Sequence, residues 1–485
     1  MERFFPVIRA LGMLLALFSL ALLVPLVAAH FLRDGAETAY DLAFFVTFSS
    51  GVALWYITRR HKRELNVRDG FLLVALSWST LPFFAAIPLY TQLDVSFSHA
   101  YFEAVSGLTA TGATALPDID DLPLSINLWR CLIIWLGGMG LIVLAVAILP
   151  MLGIGGRQMF KAEIPSPMKD TKLTPRITQT AKGLWMVYVS ITTVCGLAYY
   201  WAGMSGFDAL CHAFSTVSLG GFSTHTSGFA YWNSPLIEGV AIAFMLIAGM
   251  NFSTHYVALA SGDLRTYLRD PEILWFLGVI AVSVLGITFY LWYFHVYESS
   301  TLTLRHVAFN LIAIATTAGF SSVDYSLWPF FAPLWILFLC SFVSCSGSTG
   351  GGVKMMRAVL LYKQVYRELL RAMHPSAVHP VKLGGHSVPD NMLFAVLAFS
   401  FIYMVSLVVL TLALSFSGME ILTAFSAAVA SLNNTGPGLG AQVGPMGDYS
   451  TLSLPQAWIC TFAMLLGRLE IFTLLVVLTP AFWKK

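Results

Sequence analysis

The sequence predicts an all-α polytopic membrane protein, with four span–re-entrant loop–span repeats around one pore and an N-terminal two-span hairpin. Three observations carry that reading. Of the 485 residues, 57% are hydrophobic and only 11% charged, against roughly 25% charged in a soluble domain. Several apolar runs approach or exceed the ~18–20 residues that cross a bilayer. Finally, a small-polar tract ending in glycine recurs four times: Leu108-Thr109-Ala110-Thr111-Gly112-Ala113, Val217-Ser218-Leu219-Gly220-Gly221-Phe222, Ala315-Thr316-Thr317-Ala318-Gly319-Phe320 and Leu432-Asn433-Asn434-Thr435-Gly436-Pro437.

Taken in order, residues 1–65 read as the two-span hairpin. Its first stretch, Ala10 to Ala29, is long enough to be a retained span rather than a cleaved signal peptide. Its second span runs near Tyr40 to Ile57. Four pore repeats follow, over 66–160, 161–265, 266–385 and 386–485. In each, a span is followed by a segment of 10–14 residues, too short to cross and therefore a candidate re-entrant helix. The leading spans are Phe71–Tyr90, Leu184–Ala202, Ile273–Phe294 and Met392–Leu414. The short segments are Phe97–Leu108, Phe207–Thr216, Thr303–Ile314 and Met419–Ser431. The glycine tract comes next, and then a returning span: Leu128–Pro150, Leu236–Leu259, a run from Pro333, and Ala457–Thr479. The glycines are 109, 98 and 117 residues apart, longer than a solenoid repeat.

The total is ten spans and four re-entrant loops, with both termini cytoplasmic. Lys and Arg collect on cytoplasmic loops, and this topology places 23 of the 27 basic residues inside. Arg33, Arg130 and Arg305 fall outside, and Arg468 falls within a span. An acidic outer rim, including Asp118, Asp120, Asp121 and Asp208, would concentrate cations at a pore mouth. The six cysteines show no CxxC spacing and read as buried thiols. His212, His225 and His306 stand at unlike positions near the outer mouth and form no metal site.

A cation entering a membrane must exchange its water for fixed oxygens, and rings of backbone carbonyls supply them. Carbonyls turn to a common axis most easily where glycine relaxes the backbone. Non-helical backbone at membrane depth survives only when buried or lining a cavity. The small polar side chains three residues before each glycine (Thr109, Ser218, Thr316, Asn433) hold the loop or add ligands. The short helices aim their partially negative C-termini inward, which favours a cation.

The third returning run is interrupted by Cys345-Ser346-Gly347-Ser348-Thr349-Gly350-Gly351-Gly352-Val353-Lys354. At ~1.5 Å per residue the break falls near the bilayer centre. We read Gly347 to Gly352, with Gly350 and Gly351 between, as a mobile gate under the filter. A plain cytoplasmic turn is the alternative. A Walker A loop does not fit, because Val353 precedes Lys354 and Met355 follows it. Arg468, an ionisable group within a span, is expected to face the cavity below the filter. The alternative is a structural ion pair with Glu470 or an acid on another helix, Glu470 being poorly placed for it at i+2. Lys354 to Arg371 reads as a basic amphipathic helix, either resting on lipid headgroups or docking a cytosolic partner.

These tracts, notably Thr-Ala-Thr-Gly-Ala at 109–113 and Leu-Gly-Gly-Phe-Ser-Thr at 219–224, resemble the Trk/Ktr/HKT superfamily of potassium transporters. The length and the extra hairpin resemble its bacterial Trk-type branch. The resemblance covers nearly the whole chain. It implies a single-chain potassium pore in a bacterial inner membrane. The potassium ligands would be the backbone carbonyls of Thr111, Gly112, Gly220, Gly221, Ala318, Gly319, Thr435 and Gly436. In relatives, serine at the first filter glycine goes with sodium permeation; all four positions here are glycine. No tract has the strict signature of simple potassium channels, and Pro437 departs furthest, so rubidium is also expected to pass. The resemblance further implies the same gating loop and places an arginine at the constriction, where Arg468 stands. It also implies homodimers and a separate ring of cytosolic Rossmann-type nucleotide-binding subunits, since this chain carries no nucleotide site. Potassium is the transported ligand, and no cofactor, nucleic acid or enzymatic activity is expected. The competing function is a proton- or sodium-coupled symporter. Such carriers usually carry inverted repeats, whereas these four units run the same way.

Overall fold

The computed structural model describes residues 4–61, 63, 65–143, 177–376 and 379–484. The end of the span expected to reach Pro150, and most of the basic loop expected from Lys161 to Lys182, lie outside these residues. The described chain is helical apart from loops and one antiparallel strand pair, Lys382–Leu383 with His386–Ser387.

Phe5–Leu32 and Glu37–Thr58 form the N-terminal hairpin. Glycines let the two helices approach closely: a Cβ at Gly12 would lie 2.8 Å from the Gly51 oxygen, and one at Gly51 2.6 Å from the Ala16 nitrogen. Small residues at such contacts are what membrane helices use in place of a hydrophobic driving force. The hairpin is tied to the first repeat by Tyr40, whose hydroxyl donates to the Ser125 carbonyl at 2.9 Å. Asp34 accepts from the Ser125 amide at 2.8 Å.

Among the described residues, six helices are long and apolar enough to cross a membrane. Beyond the hairpin they are Val67–Gln92, Ala181–Trp201, Pro271–Tyr293 and Asp390–Phe416. Each of these four leads into a short helix: Phe97–Leu108, Gly206–Val217, Ser300–Ala315 and Ile421–Leu432. Three of the short helices start on a serine cap, with Ser96, Ser205 and Ser299 each accepting a backbone N–H of the first turn. Such a cap satisfies an amide that would otherwise be orphaned in an apolar setting.

The returning helices differ from the expectation. Leu124–Val143 runs unbroken as far as it is described. The expected single span Leu236–Leu259 is instead two helices, Pro235–Gly249 and Phe252–Ser261, bent by 93°. The expected Ala457–Thr479 is likewise Leu454–Arg468 and Phe472–Leu478, bent by 114°. In the third repeat Phe331–Leu339 stops before the glycine loop, and Met355–Met373 resumes after it. Only this third break is legible from glycine content. The second falls at Met250-Asn251, where the Asn251 side chain caps the next helix. The fourth is made by Glu470 and Ile471, both at positive φ (52° and 55°), a conformation that costs a β-branched residue dearly.

Candidate ion pathway

Each short helix ends in the same way. Its last turn is followed by a right-handed residue (Thr109, Ser218, Thr316, Asn433). A left-handed residue comes next (Ala110, Leu219, Thr317, Asn434, φ 52–64°). Its amide bonds back three residues, to Gly107, Thr216, Ile314 and Ser431. In three repeats the following amide reaches back five, from Thr111 to Ser106, Gly220 to Ser215 and Thr435 to Ala430. In the third, Gly319 instead reaches Ala313. This is the Schellman ending of a helix, built here mostly without glycine at the left-handed position. The glycine is kept for two residues later, where Gly112, Gly221, Gly319 and Gly436 have φ of 79°, 83°, 73° and 94°.

The four glycines are related cyclically. A Cβ at Gly112 would lie 2.0 Å from the carbonyl oxygen of Gly220, and one at Gly221 2.4 Å from that of Ala318. A Cβ at Gly319 would lie 2.1 Å from the Thr435 oxygen, and one at Gly436 2.7 Å from the Thr111 oxygen. The chain of contacts passes from tract one to two, three, four and back to one, which only loops around a common axis can satisfy. The carbonyls that close this ring belong to Thr111, Gly220, Ala318 and Thr435, four of the residues singled out from the sequence. Glycine is thus required twice at each position, by conformation and by the neighbouring oxygen. Outside the ring lies a vestibule with about 590 Å³ of empty space, open to solvent, touched by all four glycines and by Phe222, His225, Pro437 and Tyr449.

The small polar side chains before the glycines hold the loops rather than line the axis. Thr109, Ser218 and Thr316 donate back to carbonyls of their own helices. Asn433 donates to Ser341 at 3.1 Å and accepts from the Tyr403 hydroxyl at 3.0 Å.

A scaffold behind the ring was not found from the sequence. Nine residues before the first three glycines stand Glu103, His212 and Asn310, buried in the short helices. Glu103 accepts the Ala115 amide at 2.8 Å, His212 pairs with the Ser223 hydroxyl at 3.0 Å, and Asn310 accepts the Ser322 amide at 3.0 Å. In the fourth repeat Ser426 does the same one residue earlier, accepting the Leu439 amide at 2.9 Å. Each tie grips the chain two or three residues beyond its glycine. The histidines do stand at unlike positions, as the sequence indicated, but His212 has non-histidine counterparts in other repeats; counting back from each glycine would have revealed them. Arg130, assigned to the outside from the sequence, is fully buried and pairs with Glu103 at 2.8 Å. It also donates to the Ser223 carbonyl at 3.1 Å, joining tract one to tract two, and stacks on Phe222. The Tyr449 hydroxyl donates to the Gly436 carbonyl at 2.6 Å.

At the outer rim, Asp120 accepts from the Thr226 amide at 3.1 Å and pairs with His225 at 2.8 Å. Burial raises its carboxyl pKa, but the Thr226 and His225 hydrogen bonds outweigh that and hold it below the ordinary value.

Beneath the ring sits the glycine-rich loop. Thr349 donates to the Val217 carbonyl at 3.1 Å, and the Gly351 amide donates to the Thr317 hydroxyl at 3.0 Å. A Cβ at Gly351 would lie 2.0 Å from the Asn433 oxygen, and one at Gly352 2.7 Å from the Cys340 and Ser341 oxygens. The Gly347 carbonyl accepts from the Phe252 amide at 3.1 Å, at the break in the second returning helix. The loop thus touches the roots of tracts two, three and four. Arg468, placed mid-span by the sequence, stands at the last turn before the fourth break. Its guanidinium donates to the Thr349 carbonyl at 3.1 Å and to the Gly137 carbonyl of the first repeat at 2.8 Å. Among the described residues its hydrogen-bond partners are these carbonyls and not a carboxylate. Glu470 pairs instead with Arg357 at 2.7 Å. Glu470, the partner named for Arg468 from the sequence, is thus engaged elsewhere, because the helix break turns it toward the third repeat.

Polytopic helices surrounding a convergence of main-chain oxygens define a membrane transport protein rather than an enzyme. The sequence profile of the TrkH family, described as cation transport proteins, matches residues 37–485, and the chain belongs to that family. It is 44% identical over 481 residues to the Trk system potassium uptake protein TrkH of Salmonella typhimurium, covering 98% of this chain and 99% of that one. It is 47% identical over 483 residues to the protein of the same name from Halomonas elongata, covering 99% of each. The crystal structure of the potassium transporter TrkH from Vibrio parahaemolyticus superimposes with a TM-score of 0.91 at 42% identity, over 99% of this chain and 100% of that chain.

Proposed function

We propose that the protein takes up potassium across a bacterial inner membrane through a filter of main-chain oxygens. Its ligands are the carbonyls of Thr111, Gly112, Gly220, Gly221, Ala318, Gly319, Thr435 and Gly436. The observation that carries this reading is the cyclic approach of each glycine to the next tract's carbonyl, which sets four main-chain oxygens in one ring. Such a ring replaces a cation's hydration shell. The names of the relatives support potassium as the ion. Rubidium, of similar size, passes by the same route.

Gly347 to Gly352 and Arg468 form the gate. The loop lies under three of the four tracts, and a guanidinium beneath the ring repels a dwelling cation. The gate is moved by a cytosolic nucleotide-binding partner of Rossmann type, docked on Met355–Met373. That helix supports the reading with an exposed apolar stripe at helical spacing: Tyr362, Val365, Tyr366, Leu369 and Met373. Both termini are cytoplasmic, and the protein works as a homodimer with one pore in each protomer.

The deciding measurement is rubidium flux through purified protein in liposomes, with sodium as competitor. Uptake that sodium does not displace is expected. Sodium flux equal to rubidium flux would end the filter assignment. Rubidium uptake driven by a proton gradient alone would replace it with coupled symport.

A further inference from the structure

We propose that Glu272 is a two-point clamp that closes the base of the glycine loop, and so a positioning residue for the gate. The proposal rests on the reading of Gly347–Gly352 as that gate. Glu272 sits in the first turn of Pro271–Tyr293, the leading span of the third repeat, and is 2% exposed. One of its carboxylate oxygens, Oε1, accepts two backbone amides. Ser346, just before the loop, donates at 2.6 Å, and Met356, just after it, donates at 3.0 Å. The nine residues between these two donors leave and return to a single oxygen.

The two limbs of the loop also bond to each other, the Met355 amide donating to the Ser344 carbonyl at 2.8 Å. That bond travels with the loop. The Glu272 bonds do not, because they fix both limbs to a spanning helix. Any displacement of the loop relative to that span must break both together and leave buried amides unsatisfied, a costly state. The Met356 amide belongs to the first turn of Met355–Met373. A pull on that helix therefore reaches the clamp before it reaches the loop tip. Among the described residues the second carboxylate oxygen, Oε2, is buried without a hydrogen-bond partner. The residue is held by what it accepts on one side only.

The test measures basal rubidium flux in liposomes for Glu272→Ala, Glu272→Asp and Glu272→Gln, beside a deletion of Gly347–Gly352 as reference. Ala removes the acceptor, and Asp withdraws it by one methylene. Gln keeps an oxygen at the same place. Ala and Asp should raise basal flux about tenfold by freeing the two amides. The rubidium-to-sodium preference should stay unchanged, because the ring above is untouched. Gln should stay within about twofold of the native protein. If Ala does not fold, Asp and Gln carry the same contrast. A leaking deletion with tight Ala and Asp variants would overturn the clamp while leaving the gate standing. Gln leaking as much as Ala would overturn it too, since charge and not the shared acceptor would then matter. A silent deletion would remove the gate reading itself.

Discussion

The two sides of the glycine ring are built on opposite plans. On the outer side the four repeats are near-equivalent. Each glycine abuts the next carbonyl, each left-handed residue closes its helix, and each short helix sends one buried polar side chain to the chain beyond. On the inner side equivalence is lost. The first returning helix runs unbroken as far as it is described, the second and fourth bend sharply, and only the third contributes a glycine loop. The difference follows from what each side has to do. Oxygens replacing a hydration shell must approach from all directions at similar distance, so four units must agree. Blocking a pathway needs one obstruction, and four copies would only compete for the same space.

Substitution in the ring should break the symmetric side most severely. Gly112→Ser puts a Cβ where the Gly220 oxygen now lies, 2.0 Å away. We expect rubidium preference over sodium to fall about 100-fold, equivalent to roughly 2.7 kcal/mol, in competitive flux assays. Gly436→Ser, with 2.7 Å available, should cost less, and equal effects at the two positions would contradict the ring geometry. Deleting Gly347–Gly352 should act only on the other side. Basal flux should rise about tenfold to 100-fold if the open state is a minor population, with selectivity kept. A deletion that also lost selectivity would mean the loop supports the ring as well as obstructing it. Arg468→Ala should raise basal flux about tenfold, because it frees the Thr349 and Gly137 carbonyls from a charged donor. Loss of folded protein without leak would make Arg468 a brace alone.

The smallest effect belongs to the rim. Asp120→Asn should lower Tm by at most about 1 °C near neutral pH, since the carboxylate is half-exposed. The sign follows from its depressed pKa: the stabilisation is present above the ordinary carboxylate value of 3.8 and is lost as pH falls through the lower folded value. Thermal melts of the native and variant proteins should therefore converge only in acid below that value. Convergence well above that value would show that the Asp120 contacts add no stability.

Much of this protein is written in local sequence. Apolar run length gave the hairpin and the four leading spans but not the returning ones, the 10–14-residue segments gave the short helices nearly to the residue, and four glycines at like positions gave the tracts. These are properties of a chain in a low-dielectric solvent, where backbone satisfaction forces helices and positive φ beside a neighbouring carbonyl calls for glycine. The glycine loop was visible for the same reason. Tertiary structure alone decided the order of tracts around the axis, the burial of Arg130 against Glu103, and the turn of Glu470 toward Arg357. It also decided the breaks at Met250-Asn251 and Glu470-Ile471: Gly249 and Gly467 stand beside them, but single glycines such as Gly278 and Gly286 lie inside the unbroken helix Pro271–Tyr293. Periodicity reports which residues avoid water. It does not report which buried polar group meets which, because partners such as Glu272 and Ser346 lie 74 residues apart and are chosen only when the repeats close on one another.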